Sequence, residues 1–300
     1  MARFHIFHET RYDYAANVSR SQQLLHLTPR SFQFQQCQQH QITINPRPDE
    51  SMLANDFFGN DTRYVAIWSS HNTMTVSAES TVCLLPRPRE ELLADSVPWE
   101  QVRDGLRRFG DPTRLEPLKY LYDSPHVHCG NELARYASLS LTPGRSVLEG
   151  AFDLTQRIQR EFEFDPNATD ISTPLKTLMQ IKRGVCQDFA HLMIGCLRSL
   201  GLSARYMSGY LLTQPAPGEA RLIGADASHA WVSVYCPSIG WVDFDPTNRL
   251  MVGTEHITLG WGRDFSDVSL LRGVILGGGA QTLNVAVTVT PLPDLVTNDH

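Results

Sequence analysis

The first part of the chain alternates apolar and polar residues with the period of two that is typical of β-strands. Four such segments precede residue 90 and are separated by Asn, Gly, Pro and Asp; they are FHIFHETRYDY, HQITINPRP, RYVAIWSS and MTVSAESTVCLL. Prolines in LLPRPREELLADSVPWE then interrupt the strand pattern. The pattern therefore predicts a small antiparallel β domain over residues 1–95, with a boundary near residue 95.

Helical spacing of apolar residues begins after this boundary. The segment RSVLEGAFDLTQRIQREFEF predicts one helix, and STPLKTLMQIKRG predicts a second, with Thr173 as N-cap, Pro174 at the first helical position and Gly184 at the end. A third helix is predicted to begin at residues 185–187 and to end at Gly201.

The last third of the chain returns to strand patterns. SARYMSGYLL, SHAWVSVYC and GWVDFD predict three strands, and QTLNVAVTVTPL predicts one more, whose return to the N-terminal domain is left open. We therefore expect an α+β fold, in which residues 96–300 form a second domain with helices, an antiparallel sheet and the C-terminal strands.

Composition and charge narrow the possible functions. With 300 residues, of which 42% are hydrophobic, the chain is long and apolar enough to bury a substantial core. Its net charge of -6 disfavours a nucleic acid or an anionic membrane as partner. The oligomeric state is left open.

Neither the cysteines nor the N-terminus indicates an extracellular protein. The six cysteines are scattered without a CxxC pair, which favours free thiols in a reducing cytoplasm. The start MARFHIFHETRYDY lacks a continuous apolar stretch, and no apolar run approaches the roughly 20 residues that span a bilayer. We therefore expect a cytoplasmic location.

Cys186 has two interpretations. It lies on the apolar stripe of the third predicted helix with Phe189 and Met193, where a lone cysteine is usually a small core residue. It also lies in the first helical turn, where free backbone N–H groups and the helix dipole stabilise a thiolate. A base aimed at the same place would favour the second interpretation.

Two strands after that helix supply such a base. If CPSIG is a five-residue hairpin loop, Tyr235 lies opposite Trp241, and His229 and Asp245 become diagonal neighbours on one face. Each residue alone has a simpler explanation, as a structural histidine or as the start of a turn at Pro246. Together with Cys186 they form a nucleophile, a base and an orienting acid, and we favour catalysis.

Several long segments resemble the bacterial transglutaminase-like proteins. These are GVCQDFAHLMIGCLRSLGLSARYMSGY, ASHAWVSVYCPSIGWVDFDPTN and HITLGWGRDFSDV, while FHIFHETRYDYAANVSRSQQLLHLTPR resembles the β domain that precedes the core in that family. The resemblance implies a papain-like core in which Cys186 is the nucleophile, His229 the base and Asp245 the orienting carboxylate. Asp243 ranks second for the last role.

The resemblance implies thiol-dependent acyl chemistry on a peptide or protein amide, through a thioester and without a cofactor or metal. We favour a cysteine peptidase or amidase; transglutaminase-type transfer to an amine is the alternative, and an inactive peptide-binding module is the alternative from another class. We expect Gln187, Tyr210 and Trp231 to contact the substrate.

Three weaker signals remain open. Gly209 in RYMSGYL belongs either to an acyl pocket or to a plain core strand. The segment HVHC at residues 126–129 suggests a metal site, although its Ser-, Pro- and Gly-rich flanks favour a loop. Asp264 and Asp267 match a family segment without a defined role.

Overall fold

Two antiparallel sheets and a group of helices make up the protein in the computed structural model, which describes residues 1–87, 90–108, 112–212 and 227–293. The α+β class predicted from the sequence is confirmed. Among the helices of these residues, none combines the length and the apolar character needed to cross a lipid bilayer.

The first sheet is built around one long strand. Its strands are β1 (Ala2–Leu25), β2 (Gln35–Asn45), β3 (Glu50–Asn55), β4 (Asp61–Ile67), β5 (His71–Leu84), β13 (Leu271–Gly277) and β14 (Gln281–Leu292). The order is β2-β5-β1-β4-β3, and β13 and β14 also pair with β1. The predicted β domain is therefore present. Strand β3 lacks the alternating pattern because all six of its residues are exposed, and it was not predicted.

The C-terminal strands belong to this first sheet. Strand β14 runs antiparallel along the first half of β1, from Arg3 opposite Leu292 to Tyr14 opposite Gln281. Strand β13 pairs with the second half of β1. The possible return of QTLNVAVTVTPL to the N-terminal domain is therefore confirmed. A division at residue 95 does not separate the two sheets, because β13 and β14 follow that residue and pair with β1.

The second sheet and the helices are formed by the middle of the chain. The strands of the second sheet are β8 (Ala204–Leu211), β9 (Ala227–Cys236), β10 (Gly240–Asp245), β11 (Leu250–Met251) and β12 (His256–Gly262), in the order β11-β10-β9-β8-β12. A small additional sheet pairs β6 (Glu163–Phe164) with β7 (Arg183–Gly184). The helices are α1 (Trp99–Leu106), α2 (Leu115–Leu118), α3 (Asn131–Ser138), α4 (Val147–Glu161), α5 (Leu175–Ile181), α6 (Cys186–Ser199) and α7 (Phe265–Val268).

The ends of α5 differ from the prediction. Pro174 is the N-cap rather than the first helical residue, and the Thr173 hydroxyl accepts a hydrogen bond from the Asp170 amide instead of capping the helix. The helix ends at Ile181, and its C-cap is Lys182, which has a positive φ of 54°, rather than Gly184. For α6 the prediction is confirmed, because the helix begins at Cys186 and Gly201 follows it with a φ of +81°.

Helix α6 is enclosed on nearly all sides. Its apolar residues share one core with α3, α4 and the Val232 side of β9. The polar Arg198 is buried as well, and its guanidinium donates to the carbonyls of Tyr120, Ala204 and Arg263 at 2.9, 2.8 and 2.7 Å. The second sheet and the surrounding helices therefore hold the Cys186 helix as a central element of the core.

The opposite face of the second sheet packs on the first domain. Trp231 and Trp261 belong to a separate apolar cluster there, against which Phe32 packs. The Gln35 side chain donates to the Thr258 carbonyl and accepts from the Thr258 amide, both at 2.7 Å. These interactions fix the two sheets relative to each other.

The close approach of β12 to β8 requires glycine at position 209. A Cβ there would lie 1.9 Å from the Ile257 carbonyl oxygen and 2.7 Å from the Trp231 ring. We expect Gly209→Ala to lower the free energy of unfolding by about 3 kcal/mol or more, because backbone cannot move aside. Urea unfolding measures this.

Gly105→Ala is the matched control. Gly105 lies in α1, and a Cβ at this position would have no neighbouring atom within 4 Å. Alanine there should stabilise the protein by about 0.5–1 kcal/mol through its higher helix propensity. Equal effects of the two substitutions would contradict the packing argument.

Candidate active site

The backbone before Cys186 is held by the side chain of Asp188. Val185 is extended and α6 begins at Cys186. The Asp188 carboxylate accepts a hydrogen bond from the Val185 amide at 2.8 Å and another from the Thr169 hydroxyl at 2.6 Å. Burial raises the pKa of Asp188 although both bonds oppose this. The carboxylate reaches back from the third helical position, as in a capping box, and fixes the turn that presents Cys186.

His229 stands between Asp245 and Cys186. Its Nε2 is 2.7 Å from Asp245 Oδ2, which leaves Nδ1 for the thiol of Cys186. Burial opposes protonation of the ring, but the hydrogen bond to Asp245 and the interaction with the Cys186 thiol outweigh it and raise the pKa of His229 to about 10. The imidazole is therefore protonated at neutral pH in this arrangement.

Asp245 is completely buried and surrounded by donors. Its Oδ2 accepts from His229, from Asn248 Nδ2 at 2.7 Å and from His256 Nε2 at 3.0 Å. Its Oδ1 accepts from the amides of Thr247 and Asn248 at 2.9 and 3.1 Å. Burial opposes ionisation, yet the bonds from His229 and His256 hold the pKa of Asp245 well below its usual range. The carboxylate therefore stays ionised.

The predicted hairpin register is confirmed. Tyr235 lies opposite Trp241 and Val232 lies opposite Phe244. The pairing ends there, and His229 reaches Asp245 through the 2.7 Å bond of its Nε2. The loop is shorter than the five residues predicted, because Cys236 already pairs with Gly240. Asp243, the second choice for the orienting acid, instead forms an ion pair with Arg87 and accepts from Trp231 Nε1 at 3.2 Å.

His256 and Asn248 were not predicted as part of the site. His256 is only 2% exposed, and its ring meets the Trp231 ring edge-on at 5.2 Å. Burial lowers the pKa of His256, so it is a neutral ring that donates from Nε2. Asn248 had a local signal, because it lies three residues after Asp245 in a turn. No local signal in the sequence identified His256, because β12 comes close to Asp245 only when the sheet has formed.

Two of the three predicted substrate contacts, Tyr210 and Trp231, are buried in the structure. Tyr210 is 1% exposed, and its hydroxyl bonds His8 Nδ1 at 2.9 Å in the core between the domains. Trp231 is fully buried and stacks against His229 with ring centres 6.2 Å apart. Both side chains therefore have partners within the core, and their contact with a substrate stays a prediction. Gln187 is half-buried beside Cys186 and stays a prediction. Gly209 serves strand packing rather than an acyl pocket.

The HVHC segment forms a turn, as its flanks predicted. His126 stacks on His191 with ring centres 5.5 Å apart, whereas His128 is exposed and lies 3.5 Å from Asp123. Within the described residues, three possible metal-ligand atoms converge only at His229, Asp245 and His256. Hydrogen bonding of two imidazoles to one carboxylate oxygen accounts for that closeness.

Asp264 and Asp267 have structural roles. Asp264 caps α7 by accepting from the Ser266 amide at 2.9 Å, and it also accepts from the His126 amide at 2.8 Å. Asp267 accepts from the guanidinium of Arg263 at 2.9 Å. Both carboxylates therefore hold the turn that follows β12.

Together, the helix that begins with a cysteine and the sheet that carries histidine and aspartate define a papain-like core. Residues 4–83 match the model of the bacterial transglutaminase-like N-terminal region, and residues 135–246 match that of the transglutaminase-like superfamily. The chain belongs to the bacterial transglutaminase-like family.

The chain is also similar to other proteins and to one solved structure. An uncharacterised protein of Mycobacterium tuberculosis is 37% identical over 96% of this chain and 93% of its own length. A protein-glutamine gamma-glutamyltransferase of Pseudomonas aeruginosa is 30% identical over 39% of this chain and 19% of its own length. The structure of a candidate cysteine protease from Cytophaga hutchinsonii covers 97% of this chain and 91% of its own, with a TM-score of 0.77 and 19% identity, and shows the same fold.

The raised pKa of His229 predicts a pH-dependent stability. The folded state keeps a proton that the unfolded state releases above pH 6.5, so this stabilisation is complete below pH 6.5 and is lost as the pH rises through about 10. We expect the difference in unfolding free energy between wild type and His229→Asn to shrink across that interval. Urea unfolding at several pH values measures it, and a constant difference would contradict the prediction.

Proposed function

We propose that this protein carries out thiol-dependent acyl chemistry on amides, with Cys186 as nucleophile, His229 as general base and acid, and Asp245 as the orienting carboxylate. The observation that carries the proposal is the position of His229, whose ring bonds Asp245 and faces the thiol of Cys186. A protonated imidazole beside a cysteine favours the reactive thiolate.

In the first step, the Cys186 sulfur attacks the carbonyl carbon of the substrate amide. The C–N bond then breaks, and His229 gives its proton to the leaving amine, so that a thioester remains on the sulfur. The Cys186 amide lies in the first turn of α6, where backbone N–H groups lack helical partners, and it is the natural donor to the oxyanion. His256 and Asn248 keep the Asp245 carboxylate in place while the charge on His229 changes.

In the second step, neutral His229 takes a proton from the molecule that attacks the thioester. Attack by water gives a carboxylic acid, and attack by an amine gives a new amide; the thiol of Cys186 is restored in both cases. We propose peptide or protein amide hydrolysis as the main reaction. Transfer to an amine is the second candidate, because a relative over 39% of this chain is a protein-glutamine gamma-glutamyltransferase. Six free cysteines support a reducing, cytoplasmic location.

Selective alkylation tests the proposed nucleophile. We expect iodoacetamide near pH 6 to modify Cys186 at least about 10-fold faster than any other cysteine, because a thiolate reacts and a thiol does not. Cys37 and Cys129 are the matched controls, since they are also half-buried but burial raises the pKa of both thiols. Mass spectrometry of tryptic peptides gives the rates.

His229→Asn should remove this selectivity. Equal, slow labelling of Cys186 and Cys37 in the wild type would contradict the enzyme proposal and would favour an inactive peptide-binding module.

The reaction type is tested with a library of amide-bearing peptides, incubated with and without an added primary amine. We expect hydrolysed products in both samples, identified by mass spectrometry, and at least about a 10³-fold loss of rate in Cys186→Ala because the covalent step is removed. Amine adducts as the main products would instead support transfer. Unchanged products from Cys186→Ala would contradict both reactions.

A further inference from the structure

A cavity of about 310 Å³ lies where the first domain meets the face of the second sheet opposite α6. Its walls carry four aromatic side chains, those of Phe32, Phe34, Trp241 and Trp261. Its charged lining consists of Arg87, Arg205, Glu116 and Asp243. A cavity of this size with apolar walls and a few polar groups is typical of small-molecule sites.

Arg205 is a buried cation that lacks hydrogen-bond acceptors. Its guanidinium carbon lies 4.3 Å from the ring centre of Trp241 and 3.9 Å from that of Trp261, so both of its faces are covered. The side chain is 7% exposed, and in the described parts of the chain its guanidinium donates no hydrogen bond; Nε is both buried and without a partner. Buried donors normally have acceptors, and a guanidinium offers a fork that fits a carboxylate.

The other buried charges of the cavity are already neutralised. Arg87 and Asp243 form an ion pair, and Asp243 also accepts from Trp231. The Asp243 carboxylate favours the positive charge of Arg205, but within the described residues neither Asp243 nor Arg87 forms a hydrogen bond with Arg205. The N–H donors of the Arg205 guanidinium are therefore the part of the cavity lining that can bind an anionic ligand.

Glu116 gives the cavity a second charged group at its mouth. Its Oε2 accepts from Trp241 Nε1 at 2.9 Å, and its Oε1 is 3.8 Å from Arg205, beyond hydrogen-bond distance. The side chain is 45% exposed, so solvent weakens this ion pair. A cation and an anion held side by side, with aromatic walls around them, complement a small zwitterion with an apolar side chain.

The cavity is separate from the triad. Arg205 lies opposite Ser233 on β9, four residues from His229, which corresponds to about 13 Å along the strand. The buried Trp231 lies between the two places. A ligand in the cavity would therefore not contact Cys186.

We propose that this cavity binds a free amino acid with an apolar side chain, whose carboxylate pairs with Arg205 and whose ammonium pairs with Glu116. The aromatic side chains then enclose the apolar group. The site does not depend on the proposed enzymatic function, because no residue of the triad takes part.

The test titrates the 300-residue protein with L-phenylalanine and follows tryptophan fluorescence, since Trp241 and Trp261 cover the guanidinium. Isothermal calorimetry gives an independent Kd. We expect saturable binding with a Kd of about 1 mM or tighter. Phenethylamine lacks the carboxylate and 3-phenylpropionate lacks the ammonium, and each should bind at least about 10-fold more weakly because a charge-assisted hydrogen bond is lost.

Three variants complete the test. Arg205→Gln should weaken L-phenylalanine binding at least about 10-fold and Glu116→Gln about 3-fold or more, whereas Arg103→Gln, which removes an arginine stacked on Trp99 outside the cavity, should change nothing. If Arg205→Gln fails to fold by circular dichroism, Glu116→Gln and the two analogues decide. Absence of binding to the wild type, or equal binding of L-phenylalanine and phenethylamine, would overturn the proposal.

Discussion

The buried carboxylate of Asp245 is the constraint on which the site depends. An ionised carboxylate without solvent is stable only when donors surround it, and removal of one partner from a buried pair costs about 3–5 kcal/mol. The donors of Asp245 come from β9, from the turn after β10 and from β12. One side chain therefore ties together separate elements of the sheet and at the same time orients His229.

The other half of the site depends on the burial of α6. The helix is enclosed by the second sheet and by neighbouring helices, and its first turn is fixed by Asp188. Polar residues along it are buried with specific partners, as Arg198 shows with its bonds to backbone carbonyls. A helix held this firmly presents Cys186 at one defined position, which nucleophilic chemistry requires.

The first sheet is part of the same structural unit as the second. It covers the face of the second sheet that carries Trp231 and Trp261, and Gln35 pairs with backbone of β12. Tyr210 extends this contact through its bond with His8. The packing of the first sheet on this face therefore supports β9 and β12 and also forms the aromatic cavity around Arg205.

The sequence by itself determined several helices and strands and the main candidates for catalytic residues. Period-two and helical patterns located β1, α6, β9 and β10, because local spacing decides which side chains share a face. The hairpin loop then gave the register that brings His229 to Asp245, and the turn after Asp245 carried a local signal for Asn248. The patterns missed β3, which has no buried face, and misplaced the ends of α5. They also did not predict α1, α3, β12 or β13.

Only the tertiary structure decided which residues complete the site. His256 reaches Asp245 from a different strand, and Tyr210 and Trp231 are buried within the core. The pairing of β13 and β14 with β1 and the exposure of Arg205 to a cavity also join residues that are far apart in the chain. The physical reason is that periodicity reports the local face of an element, whereas burial and hydrogen-bond partners depend on what packs against that face.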